Sequence, residues 1–110
     1  MVGKLQLITL EKVIEMRENN EDFTMVEVLS SEKYEEGHVP GAINIELDQV
    51  REEAGEKLEK GRTVVVYCGG YACRASTKAA KILMSMGYKD VLDFKGGKPV
   101  WKNAGLKLEH

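Results

Sequence analysis

Within seven residues, Cys68-Gly69-Gly70-Tyr71-Ala72-Cys73-Arg74, the chain places two thiols, two glycines and a guanidinium. A thiolate is a nucleophile, and its pKa falls beside positive charge or a helix N-terminus. Arg74 supplies a permanent charge and a planar fork of donors. Gly69 and Gly70 can take positive φ, which lets backbone N–H groups turn toward a bound anion. The stretch therefore reads as a nucleophilic Cys68 at the mouth of an anion cradle, with a lowered thiol pKa expected. The plainer reading is a small apolar residue that ends a core strand, where free cysteine is common.

The flanking elements must hold such a cradle. Thr63 to Tyr67 is a β-branched and aromatic run, so a buried strand. Ala75 to Met86 carries Ala79, Ile82, Leu83 and Met86 at helical spacing, without Gly or Pro. Strand, loop and helix N-terminus in succession leave unpaired first-turn amides and a favourable dipole facing the loop. The rest of the chain repeats this alternation. Strands are expected at Leu5–Ile8, Phe23–Leu29, Ala42–Ile45 and Val91–Phe94. Helices are expected from Thr9 to Glu18, from Ser30 to Glu36, from an Asp48 cap to Glu59, and from Val100 to Ala104. Gly96-Gly97 reads as a loop. Alternating strands and helices imply an α/β fold with parallel pairing and right-handed crossovers. Ligands of such sheets bind at the carboxyl ends of the strands, where Cys68 lies.

A chain of 110 residues with a net charge of −2 is one domain with no polyanion-binding character, so neither nucleic acid nor an acidic membrane surface is expected as partner. Its apolar runs are too short to cross a bilayer, and no secretory signal opens it. Two cysteines make no disulfide framework, which points to a reducing, cytoplasmic setting. Two cysteines and His38 also fall short of a zinc site, so neither metal nor cofactor is called for. Leu108-Glu109-His110 reads as a purification-tag remnant, leaving residues 1–107 as the domain and His38 as its one native histidine.

Three separated pieces resemble the rhodanese-like sulfurtransferase family. They are Tyr34-Glu35-Glu36-Gly37-His38-Val39-Pro40-Gly41-Ala42-Ile43-Asn44, the strand and nucleophile Val65-Val66-Tyr67-Cys68, and Gly96-Gly97-Lys98-Pro99-Val100-Trp101. Val26-Glu27-Val28-Leu29 resembles a fourth, with Glu in place of the family's Asp and Leu in place of its frequent Arg. The resemblance covers nearly the whole chain. It implies five parallel strands in the order 1-5-4-2-3 with helices on both faces. It also implies a chemistry: Cys68 takes the outer sulfur of thiosulfate or a similar donor, and a thiol, thioredoxin-like or cyanide acceptor removes it. Gly69, Gly70, Tyr71, Ala72 and Cys73 would then line the substrate site and Arg74 would stabilise charge.

The loop departs from the family in one respect. Five residues separate Cys68 from Arg74, where four are usual. The longer loop resembles that of rhodanese-fold phosphatases and arsenate reductases, although Tyr67 stands where those carry His. Oxyanion chemistry on Cys68 is the alternative, and a non-catalytic interaction module is a third reading. Cys73 reads either as a resolving cysteine for Cys68 or as a small residue under the helix start. His38 reads as fixing the turn before Pro40 rather than as a partner of Cys68. Trp101 reads as a core plug and Tyr71 as the aromatic nearest the substrate.

Overall fold

The computed structural model describes residues 5–110. Its strands are β1 Gln6–Leu7, β2 Phe23–Glu27, β3 Ile43–Asn44, β4 Thr63–Tyr67 and β5 Val91–Phe94. Its helices are α1 Leu10–Glu18, α2 Ser31–Glu36, α3 Val50–Lys57, α4 Ala75–Ser85 and α5 Gly97–Asn103. All strand pairings are parallel and the order is β1-β5-β4-β2-β3, as the resemblance implied.

The central strand β4 explains both faces. Its residues alternate sides with period two. Val64, Val66 and Cys68 pack with Val50, Ala54 and Leu58 of the α3 segment and with Ala79, Ala80 and Leu83 of α4. Val65 and Tyr67 pack the other way, with Val13 and Met16 of α1 and Trp101 of α5. Both faces are covered by helices, so Val64, Val65 and Val66 are all buried, as a parallel sheet between two helical layers requires. Trp101 fills the core as expected, and its indole N–H donates to the Lys107 carbonyl at 3.0 Å.

Several boundaries differ from the sequence expectation. β2 ends at Glu27 rather than Leu29: the Val28 N–H still reaches the Tyr67 carbonyl at 3.1 Å, but the Leu29 carbonyl accepts from the Asn44 side chain, whose Nδ2 donates to the Glu27 and Leu29 carbonyls at 3.0 and 2.9 Å. Asp48 caps no helix. A 3-10 turn at Leu47–Gln49, closed by Gln49 N–H to the Glu46 carbonyl at 2.8 Å, leads into α3. That helix stops at Lys57 because Leu58 turns extended and buries itself in the core. The expected Gly96-Gly97 loop is the start of α5, three residues earlier than the apolar pattern suggested. Pro99 is accommodated in that first turn, where backbone N–H groups lack helical partners in any case.

His38 sits in the turn before Pro40 and is buried. Its ring stacks on Tyr34 at 3.8 Å and its Nδ1 lies 2.9 Å from the Tyr34 carbonyl. These contacts fit the structural role read from the sequence. Leu108 packs near Gly37, and Glu109 pairs with His38 through two backbone hydrogen bonds.

Candidate active site

Cys68 follows the last residue of β4 and is 1% exposed. Its sulfur faces the start of α4, where the amides of the first turn have no helical acceptor. Ser76, fully buried, turns both its backbone N–H and its hydroxyl toward that sulfur. The hydroxyl completes no hydrogen bond of its own, so it stands ready to donate to charge on Cys68. Burial nevertheless pushes the Cys68 thiol above its ordinary pKa. A hydrogen bond with Cys73 acts the same way, and the Ser76 donors offset only part of it. The lowered value expected from the helix terminus is thus reversed, because desolvation of a thiolate outweighs a helix end.

Cys73 carries the lowered pKa instead. Burial alone would raise it, but the Cys68 thiol, the N–H groups of Gly69 and Ala75, and the Lys95 ammonium all favour its thiolate. The loop is closed over the cysteine pair. The Cys73 N–H donates to the Gly70 carbonyl at 3.0 Å. The Cys73 carbonyl accepts from Lys95 Nζ at 2.9 Å and from Cys68 Sγ at 3.6 Å.

A buried polar lattice backs the loop. Glu27, at the end of β2, is fully buried. It accepts from the Tyr67 hydroxyl at 2.9 Å, which in turn accepts from the Val39 N–H at 3.0 Å. Lys98 Nζ lies 2.9 Å from Glu27 Oε2 as an ion pair and donates to the Lys33 carbonyl at 2.8 Å. The Lys98 backbone N–H reaches the Cys68 carbonyl at 3.2 Å. Gly97 makes this approach feasible. It adopts φ 58°, and a Cβ there would stand 2.2 Å from the Cys68 oxygen. Glu in place of the family's Asp therefore has a use here: its carboxylate joins Tyr67, Lys98 and, through Tyr67, the Val39 turn.

The structure brings most of the predicted site residues together at one end of β4, with distinct roles. Gly70 takes positive φ, 135°, but Gly69 does not. Tyr71 and Ala72 are exposed at the loop surface. Arg74 precedes α4, is exposed, and its guanidinium has no hydrogen-bond or ion-pair partner among the described residues. Sequence reasoning missed Ser76, Lys95 and Lys98. Ser76 was legible as the second residue of the helix that follows the Cys68 loop. Lys98 lay inside a quoted signature in which only the glycines and Trp101 were weighed.

Two recesses flank the loop. One, of about 410 Å³, borders Gly69 and is edged by Lys33, Lys98 and Lys102. The other, of about 270 Å³, lies between Tyr71, Lys95 and Leu7. The first carries three lysines against Glu36, an excess of positive charge that suits an anionic ligand, whereas the second sets Lys95 against Glu11. Among the described residues, no cluster of three or more His, Cys, Asp or Glu side chains could hold a metal, and no helix is long and apolar enough to cross a membrane.

Known proteins share this sequence pattern and fold. The chain is 41% identical over 76 residues to thiosulfate sulfurtransferase PspE of Escherichia coli, covering 68% of this chain and 71% of that protein. It is 34% identical over 102 residues to the HTH-type transcriptional regulator Rv0324 of Mycobacterium tuberculosis, covering 93% of this chain but 44% of the regulator. The chain thus spans less than half the length of that relative. Among solved structures, the Alr3790 protein of Anabaena sp. superposes with a TM-score of 0.85 at 29% identity, covering 93% of this chain and 79% of that one. The family description Rhodanese-like domain matches residues 9–104. With the five-stranded order, the cysteine at the end of β4 and these relatives in agreement, the chain belongs to the rhodanese-like domain family.

Proposed function

We propose that this domain is a sulfurtransferase that takes sulfane sulfur from thiosulfate or a similar anionic donor and holds it as a persulfide on Cys68. One observation carries the reading: a buried cysteine at the carboxyl end of the central strand faces the amides and Ser76 of a helix N-terminus. An anionic donor seated against those donors would present its outer sulfur to Cys68, with Arg74 and Lys95 adding positive charge. Gly69, Gly70, Tyr71 and Ala72 form the surface it meets.

The Cys68 proton needs an acceptor, since burial disfavours free ionisation. Cys73 supplies it. The Cys73 thiolate accepts the proton as Cys68 attacks, the donor's sulfur–sulfur bond breaks, and sulfite leaves with that bond's electron pair. The products are a Cys68 persulfide anion, a Cys73 thiol and sulfite. No histidine takes part. A thiol acceptor, small or thioredoxin-like, would then remove the sulfur.

The test is single-turnover sulfite release from thiosulfate. Wild-type protein is expected to release one sulfite per chain, and Cys68→Ser none. Cys73→Ser should still release it, more slowly at neutral pH and faster as pH rises. Release by Cys68→Ser would remove Cys68 as the nucleophile. The Cys-x5-Arg spacing favours a second reading, oxyanion chemistry of the phosphatase or arsenate reductase kind. Phosphate-ester hydrolysis or arsenate reduction by a protein that releases no sulfite would establish it. A folded protein with neither activity would be an interaction module.

A further inference from the structure

The loop holds two thiols where one suffices for sulfur transfer. Donor and acceptor alike must reach a cysteine that is 1% exposed, and an internal thiol spares the second approach. A second cysteine of the same loop, Cys73, is already beside Cys68. The loop turns back through the Cys73 N–H and the Gly70 carbonyl, 3.0 Å apart, and Cys68 Sγ lies 3.6 Å from the Cys73 carbonyl. Lys95, clamped to that same carbonyl at 2.9 Å, holds this conformation. Both cysteines are free. A partner so placed acts at a high effective concentration compared with a thiol in bulk solvent.

Resting on the persulfide reading above, we propose that Cys73 resolves the Cys68 persulfide inside the loop, so that the domain releases hydrosulfide and ends its turnover as a Cys68–Cys73 disulfide that an external dithiol must reopen. The site would then be a thiosulfate-reducing one rather than a carrier that delivers sulfane sulfur.

The chemistry balances. After sulfite leaves, Cys73 holds the proton taken from Cys68. That proton moves to the outer sulfur of the persulfide, and the Cys73 thiolate attacks Cys68 Sγ. A Cys73–Cys68 sulfur–sulfur bond forms, and the bond from Sγ to the outer sulfur breaks. Its electron pair leaves with hydrosulfide. The sulfane sulfur is reduced to sulfide and the two cysteines are oxidised to a disulfide. An external dithiol restores both thiols and is itself oxidised to a disulfide. Over a full cycle, thiosulfate and a dithiol become sulfite, hydrosulfide, one proton and the dithiol's disulfide.

Regiochemistry follows from placement. The contact that Cys73 makes in the resting loop, its carbonyl 3.6 Å from Cys68 Sγ, is with the atom that becomes the inner sulfur. Attack there expels hydrosulfide, a less basic leaving group than a cysteine thiolate, which favours this exchange over return of the donor sulfur.

The experiment uses reduced, desalted protein without added thiol or air, exposed to one equivalent of thiosulfate. Sulfite, hydrosulfide and intact mass are followed, with peptide mapping. Wild type is expected to give one sulfite and one hydrosulfide per chain and to end two hydrogens lighter, with Cys68 joined to Cys73. Cys73→Ser and Cys73→Ala, each shown folded by circular dichroism, should give sulfite but no hydrosulfide. They should end one sulfur heavier at Cys68, in a form that cyanide removes. If wild type releases sulfite yet keeps the extra sulfur, on Cys68 or moved to Cys73, the resolution step is wrong and the sulfurtransferase reading stands. Hydrosulfide release by the Cys73 variants at the wild-type rate also overturns it. Absence of sulfite from all three proteins removes the persulfide reading and the resolution with it.

Discussion

The backbone N–H of Lys98 donates to the carbonyl of Cys68 at 3.2 Å, while the same residue's ammonium lies 2.9 Å from the buried carboxylate of Glu27. One residue of α5 thus ties the Cys68 backbone to the end of the neighbouring strand β2. Gly97 is what lets α5 come so close.

Gly97→Ala should therefore be among the most damaging small substitutions in the domain. The new methyl would meet the Cys68 oxygen at 2.2 Å in a backbone conformation, φ 58°, that strains any side chain. Strain and overpacking together predict a loss of about 2–5 kcal/mol. Gly41→Ala is the control. It also has positive φ, but nothing lies within 4 Å of its added Cβ, so it should cost about 1–2 kcal/mol. Denaturant midpoints of the two variants decide the matter, and equal losses would mean that the tight approach carries no energetic weight.

The Glu27–Lys98 pair should be strongly coupled. Glu27 is fully buried and the Lys98 side chain is 14% exposed. Removing either charge alone, by Glu27→Gln or Lys98→Met, strands the other and should cost about 3–5 kcal/mol. The double variant should cost clearly less than the sum of the two singles. A double-mutant cycle by urea unfolding measures this, and additive losses would show that the pair is not a unit.

Alkylation should separate the two thiols by pH. Cys73, held below its ordinary pKa, should react with iodoacetamide near neutrality. Cys68, held above its own, should react only as the solution becomes alkaline. Deprotonation makes the reactive form, so each rate rises with pH, and the Cys68 curve lies on the alkaline side. Peptide mapping at a series of pH values reads both curves at once. Preferential labelling of Cys68 at neutral pH would reverse the assignment of charge within the pair.

Arg74→Ala should leave the fold alone and weaken donor binding. Its guanidinium is exposed and has no partner among the described residues, so the change in stability should stay within about 0.5 kcal/mol. A hydrogen bond to a charged donor is worth about 1.5–3 kcal/mol, so the thiosulfate concentration for half-maximal sulfite release should rise roughly ten- to hundredfold. An unchanged concentration would show that Arg74 does not reach the donor.

Hydrophobic periodicity makes the sheet, its flanking helices and the placement of Cys68 readable in the sequence. Val64–Val65–Val66 could only suit a strand covered on both sides, and the Ala79, Leu83 spacing could only suit a helix against it. What stayed hidden depended on distances between segments far apart in the chain. The charge of Cys68 could not be read from its neighbours in sequence, because burial by α3 and α4 decides it. Lys98 and Glu27 are separated by most of the chain and find each other only once α5 lies on the loop. The Gly96-Gly97 pair looked like a turn because glycine usually signals one, whereas here its small size admits a helix start against a backbone. Ser76 was hidden because its partner is a sulfur on the preceding strand end.

The alternation of β4 has a consequence for how this domain can change length. Cys68 shares a face with Val64 and Val66, so its sulfur points toward α4 only while the number of residues before it is held fixed. One residue inserted between Thr63 and Tyr67 would send the sulfur toward Trp101 and put Tyr67 among α3 and α4. A residue added after Cys68 merely enlarges the loop. Insertions and deletions near the site are therefore admitted on one side of the cysteine only. The fifth residue before Arg74 lies on the permitted side, and a single deletion there is the way to convert this loop to the shorter form without moving Cys68.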